Sequence, residues 1–438
     1  MASSSADTTA ASSSTDADPT TTPIETGTSG GPGSSEDTGD SAAESSGDVG
    51  PAIEWTEYLD GTNDDDQVLG VALTEDGDTV WAGRVSGDWQ PDAWQGASDL
   101  AAGRIAPDGT IVYETQLGST GMDVALDIAV APDGSTFLGG FTTGALLGQA
   151  NPAGNDGFVI RLDETGTVVW ARLLGRGTVN QVTATPDGGV IAVGSEQSPS
   201  GGVGFAVELT EDGSEAWSST FGEGGFTSAA DAAVVDGDAI VVGFTTVGFD
   251  GEVAMDGLEG FVTRIRRTDG ARTETSLLLG SGEDALLRVA TAGGSVWAAG
   301  YTSSTLDPEG AAGDNDVLLV DLGTGTSIGA VRQYGTAGSE AAYGIALVDG
   351  SVLLSGRIDD DTWPGQSSAG TGDAFLLSVD SADGSVHWTA QEGTQGLDEH
   401  VSVASDGTTI VTGGYRASSD GVGGDLWLTA RPLESPRF

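Results

Sequence analysis

YETQLGSTGMDVALDIAVAPDGSTFLGGFTTGALLGQANPAGNDGFVIRLDETGTVV, residues 113–169, carries the period of a strand four times and the period of a helix nowhere. Tyr113 to Leu117 alternates, Ala125 to Val130 is small and apolar, Thr136 to Phe141 ends on glycines, and Phe158 to Leu162 alternates again. Asp133-Gly134 and Thr165-Gly166 punctuate the run as tight turns, because glycine takes the positive φ that a hairpin connection needs.

The same unit recurs along the chain. Its turn glycine falls at Gly77, Gly134, Gly188, Gly237, Gly294, Gly350 and Gly407, and a second glycine follows six positions later at Gly83, Gly140, Gly194, Gly243, Gly300, Gly356 and Gly413. An acid followed two places on by an apolar residue precedes the third strand at Asp99, Asp156, Glu259, Asp316, Asp373 and Asp425, while the third repeat has Val203 instead. The strand that closes a unit opens on an aromatic at Trp55, Tyr113, Trp170, Trp217 and Trp388. Four strands per repeat with a period near fifty-five residues predict an all-β fold, a seven-bladed β-propeller of four-stranded blades. Residues 53–59 read as a fourth strand without its first three, and the last repeat lacks a fourth. The N-terminal strand is therefore expected to complete the C-terminal blade and close the ring. The propeller spans 53–433, with a short tail at 434–438.

GSTGMDVALDIAVAPDGS, GFTTG and GNDGFVIRLDETGTVVW resemble the seven-bladed propeller repeats of bacterial secreted and surface proteins known as SBBP repeats. That resemblance implies the fold and a place outside the cytoplasm. It implies little chemistry, since propellers serve both enzymes and binding platforms.

Residues 1–52 carry nine acids and no base among Ser, Thr, Gly and Ala, too little apolar surface to offset chain entropy, so a disordered tether is expected. Tethers of this kind resemble those that follow the lipidated cysteine of bacterial surface lipoproteins, which implies a lipid anchor at the native N-terminus where Met1 stands here. The chain has no cysteine, no lysine and a formal net charge of −52. Such a field repels phosphate backbones, so nucleic acid is excluded as a partner. No apolar run approaches a membrane span, and a monomer is expected.

Turns between first and second strands, and between third and fourth, are tight. Connections into the first and third strands are long and acidic, as at 84–98, 141–155, 301–315 and 357–372, and the two sets lie on opposite faces of a meander. Function is expected on the long-loop face. There the residues entering the inner strands, Asp127, Gln181, Asp231, Arg288 and His400, converge on the channel mouth and suit a polar small molecule, a sugar or a loop of another protein. Solvation of the mouth by internal ion pairs is the plainer reading. Asp127 and Asp231 supply a carboxylate pair for a polysaccharide-cleaving enzyme, the alternative function, and a purely structural module of a surface assembly is a third. With two histidines and no cysteine, nucleophile elbows, histidine-rich metal centres and redox dithiols lack support. Calcium is the cofactor that the acidic loops suggest, through Asp64, Asp66, Asp359 and Asp361, although a merely solvated loop has the same composition. Trp89, Trp94 and Trp363 stand in the long loops, either exposed to stack on sugars or anchor a protein partner, or folded back on their own blades. The expected function is a non-enzymatic binding or scaffold module, engaging protein or carbohydrate through the long-loop face.

Overall fold

A computed structural model describes residues 55–433 except 63–64, 92, 152–153, 199–200, 250–256 and 419–422. The expected tether at 1–52 and the tail at 434–438 lie outside the described residues.

The repeats form seven four-stranded antiparallel sheets, each a meander. Blade 1 runs from Gln67–Leu73 to Ile111–Leu117, blade 2 from Asp123–Val130 to Val168–Leu173, and blade 3 from Thr178–Ala184 to Glu215–Phe221. Blades 4, 5 and 6 begin at Thr227–Val235, Asp284–Ala292 and Ser339–Val348 and end at Ala271–Leu278, Val331–Tyr334 and Val386–Glu392. Blade 7 takes three strands from the C-terminus, Asp398–Ser405, Thr409–Ala417 and Gly424–Pro432, and its fourth from the N-terminus. Glu57–Asp60 lies antiparallel to the last strand, with Glu57 opposite Thr429 and Asp60 opposite Leu426. The complementarity of the two chain ends thus becomes ring closure.

Seven apolar clusters, one between each pair of adjacent blades, form the core. One joins blade 7 (Trp55, Val411, Leu426) to blade 1 (Val68, Trp81, Ile105), as another joins blades 2 and 3 through Phe137, Val159, Val190 and Phe205. Each fully buried large side chain contributes about 1.5–3 kcal/mol, so every blade needs two neighbours and an open array would leave two apolar faces wet.

The recurrent second glycine has a steric cause. A Cβ on Gly140 would stand 1.9 Å from the Val124 carbonyl oxygen and 2.9 Å from the Phe158 ring, and one on Gly243 would meet Ser228 O at 2.1 Å and the Phe261 ring at 2.8 Å. The fourth-strand aromatic is explained from the next blade, whose turn between third and fourth strands presses a glycine on it: Gly166 on Tyr113, Gly213 on Trp170 and Gly270 on Trp217.

First hairpins come in two kinds. Blades 1 to 3 use a three-residue loop such as Glu75-Asp76-Gly77, flanked by the Thr74–Asp78 bond and ending on a left-handed glycine. Blades 4 to 6 use two-residue turns with both residues left-handed, as at Asp236-Gly237 and Asp349-Gly350, a twist that matches paired strands.

Candidate functional site

Each first strand slips register once, leaving one residue opposite no partner: Leu69, Leu126, Asn180, Ala230, Leu287, Tyr343 and Val401. A bulge of this type re-aims the residue that follows, and the followers are Gly70, Asp127, Gln181, Asp231, Arg288, Gly344 and Ser402. All except Gly70 line a central cavity of about 700 Å³. The structure therefore brings together four of the five residues expected at the channel, and replaces the fifth. His400 pairs with Gly414, as Ala125 pairs with Gly140, and belongs to the seam between blades.

The cavity also lies on the other side of the ring from that expected. It extends from the bulge residues to the tight turns, past Glu75, Pro132 and Pro186. The long-loop expectation took these residues for the strand entrances, whereas Asp127 is the fifth residue of its strand and Asp123 the first.

Asp127 and Asp231 bind the neighbouring blade. Asp127 Oδ2 accepts a hydrogen bond from Val182 N at 3.0 Å, and Asp231 Oδ2 accepts one from Val289 N at 2.8 Å. Ser402 Oγ does the same for Val71 N at 3.1 Å, across the closing seam. Burial pushes both carboxyls up to about 7, against the pull of Arg288 and of the amides they accept from. Arg288 is half-buried and donates from Nη1 to Leu287 O at 2.9 Å. Gln181 Oε1 is buried without a hydrogen-bond partner.

His400 is 1% exposed, stacks on Trp427 at 4.4 Å and shares a hydrogen bond with Glu392 through Nε2 at 2.9 Å. Glu392 in turn accepts from Arg431. Burial lowers the imidazole's pKa in spite of Glu392, so the ring is neutral at pH 7. Here histidine is a packing and hydrogen-bonding group of the seam.

The described acids of these loops are engaged by amides and arginine and are not gathered around a common point. Asp66 is fully buried, with Oδ1 accepting from Ser86 N at 2.7 Å and Oδ2 from Thr62 N. Asp359 pairs with Arg357 at 3.0 Å, and Asp361 accepts from the Ala337 and Thr362 amides at 2.8 Å each. Asp64 lies outside the described residues. Among the described residues no group of three or more His, Cys, Asp or Glu side chains is placed to hold a metal ion.

What these acids do is fasten the long-loop face. The acid before the third strand accepts from the loop preceding it or from the strand end beside it: Asp99 from Gln95 N, Asp316 from Ala312 N, Asp373 from Ala369 N and Asp156 from Arg176 N. In blades 1, 5 and 6 a glutamine completes the clamp. Gln333 Oε1 accepts from Leu306 N and Asp307 N at 2.6 Å each, while its Nε2 donates to Ser304 O and to Asp316. Gln116 and Gln391 repeat the arrangement with Trp89, Gln90 and Asp99, and with Trp363 and Asp373. These glutamines were missed in the sequence, although each stands two residues before the glycine ending its repeat (Gln116-Leu117-Gly118, Gln333-Tyr334-Gly335, Gln391-Glu392-Gly393). The exception proves informative. In blade 3 Val203 takes the acid's place, and there the second and third strands, Val190–Ser198 and Gly201–Leu209, meet with no long loop to hold.

Of the loop tryptophans, Trp363 is buried edge-on to Phe375 at 5.5 Å and Trp89 packs on Trp81 at 5.7 Å, each covering its own blade. Trp94 is 48% exposed.

No family model matches the chain. By structure it is similar to the WD40 repeats of RRP9, with a TM-score of 0.53 at 10% identity over 87% of this chain and 99% of that one, and to U3-55K, with 0.52 at 9% identity over 87% and 100%. Hydrazine synthase of Kuenenia stuttgartiensis gives 0.50 at 11% identity, covering 85% of this chain and 97% of that one. The fold is that of a β-propeller. By sequence the chain is similar to the regulatory protein FlaEY of Caulobacter vibrioides, 27% identical over 433 residues and 86% of this chain. It spans 44% of that relative's length. No helix of the described residues is long and apolar enough to cross a membrane.

Proposed function

We propose that this propeller is a non-enzymatic binding module that holds a protein partner on its long-loop face, displayed outside the cytoplasm on the acidic segment that precedes it. One observation carries the reading. Six of the exposed large apolar side chains, Trp94, Met122, Leu147, Phe226, Leu279 and Leu397, stand in connections of that one face. The others, Ile111, Val112, Val169 and Val386, lie on the outer fourth strands. Large apolar side chains that recur in the exposed loops of one face suit an interaction site, and the clamps that fix the loops reduce the ordering cost of binding. The net charge of −52 favours a basic partner. A regulatory role, as FlaEY is described to have, is one that a binding module can serve. The surface location rests on the resemblance to secreted propeller repeats and on the composition of residues 1–52.

The test is site-specific photo-crosslinking in the native cell, with benzoylphenylalanine at Trp94, Met122, Phe226 or Leu397 and, as controls, at Val169 or Val386. One protein species captured from the four face positions and not from the outer strands is the expected result. Capture from the controls alone, or from none of the positions, overturns the reading.

A further inference from the structure

The central cavity lies at the opposite side of the ring from the surface just described and stands independently of it. Its charged lining consists of Arg288, Asp127, Asp231 and, in the turn at its rim, Glu75. Among the described residues, the Arg288 guanidinium donates one hydrogen bond, to its own neighbour Leu287, and no carboxylate lies within ion-pair distance of it. A guanidinium has five donors arranged as a fork. The two nearby carboxylates do not fill it, because each is engaged by a backbone amide of the next blade. Gln181 Oε1 also lacks a donor, but it is closed off from the cavity space and takes no part. Around these polar groups stands an aliphatic collar of one residue per blade, Val71, Ile128, Val182, Val289, Ile345 and Val403, with Ala232 in blade 4. Seven repeats that share an apolar collar but place different polar groups beside it produce a cavity with one cationic fork and an apolar wall.

We infer that this cavity binds a small aliphatic carboxylate, its carboxylate on the fork of Arg288 and its alkyl body against the collar. A pocket of about 700 Å³ admits a molecule of that class with room for a longer body. The binding is pH-dependent in a defined sense. Asp127 and Asp231 are raised to about 7 by burial, so below that they are neutral neighbours of the bound anion, and above it they ionise and repel it.

The experiment uses the whole chain and two probes, butyrate and the neutral butyramide, observed by ligand-detected NMR titration. Expected is saturable binding of butyrate, with the amide weaker by about tenfold or more, as loss of a charge-assisted bidentate contact implies. Affinity falls between about pH 6 and about pH 8 as the two aspartates ionise. Arg288→Met abolishes binding, while Arg288→Lys, which keeps the charge and loses the fork, retains part of it. Both variants are checked for an unchanged unfolding midpoint, so that a loss is assigned to the site. Equal binding of acid and amide, binding that survives in Arg288→Met, or no saturable binding of the acid at about pH 6 overturns the inference.

Discussion

Asp127 is a carboxylate in a place that suits an amide. Its work is to accept the Val182 N–H across the seam, and burial works against its charge. Asp127→Asn keeps an acceptor oxygen and removes the ionisation, so the variant's advantage in stability is partial near pH 5, above the ordinary aspartate pKa, and full near pH 8. Asp127→Ala leaves the Val182 amide without a partner and costs about 1–3 kcal/mol. Urea unfolding at the two pH values separates these outcomes, and an Asn variant weaker than Ala at pH 8 contradicts the assignment. Asp127, Gln181, Asp231 and Arg288 were legible because repeats with a shared frame show where their chemistry diverges. His400 was misplaced for a definite reason. The turn glycine served as the ruler, and the hairpin of blade 7 sets Gly407 five residues after the bulge follower Ser402, where blade 2 sets Gly134 seven after Asp127. A local change in turn length slides a whole strand against its alignment and exchanges a channel position for a seam position.

At the level of the element, the long loops are the part whose order depends on side chains. Gln333→Leu deprives the Leu306 and Asp307 amides of their acceptor and leaves Asp316 with one donor fewer. Hydrogen exchange at those two amides should quicken while exchange in the Ser295–Thr302 strand holds, with a loss of about 1–3 kcal/mol in global stability at most. Quickening spread evenly over the blade contradicts a local clamp. Half of this device was readable: the acid before the third strand recurs in six repeats, and its turn-capping role follows from its type. The glutamine was not, because it occurs in three repeats and its partners are backbone amides, which carry no sequence signature. The tight turns were legible as turns, while their division into two kinds depends on whether Asp236 and Asp349 take the left-handed conformation that Asp76 leaves to Gly77.

For the whole molecule, burial of carboxyls sets the response to pH. Asp127, Asp231 and Glu340 are all raised to about 7, and burial raises Asp66, Asp99, Asp156, Asp284, Asp316 and Asp398 as well. A folded state that holds protons more tightly than the unfolded chain is stabilised below the unfolded pKa and loses that stability as pH rises through the folded one. His400 acts in the opposite sense, since its lowered pKa costs stability as pH falls below the ordinary histidine value. One imidazole against several carboxyls leaves the carboxyls in control. Scanning calorimetry should find a midpoint that falls from about pH 5 to about pH 8, with a shallower fall in Asp127→Asn/Asp231→Asn. A midpoint that rises over that interval contradicts the burial of these groups. Fold, blade number and ring closure were all legible, because sevenfold repetition averages out the ambiguity of any one strand.

The way the ring closes also decides how it bears force. Glu57–Asp60 runs from the tight-turn face toward the long loops, and Gly424–Pro432 runs back, so the chain enters at Trp55 and leaves at Leu433 on the same face. Tension between those two ends would peel the closing strand away one bond after another. Tension between the entering end and a partner seated on the long loops runs along the strand, and loads its bonds together in shear. The architecture is weak along the first line of pull and strong along the second, the line that a tethered platform holding cargo on its far side would meet.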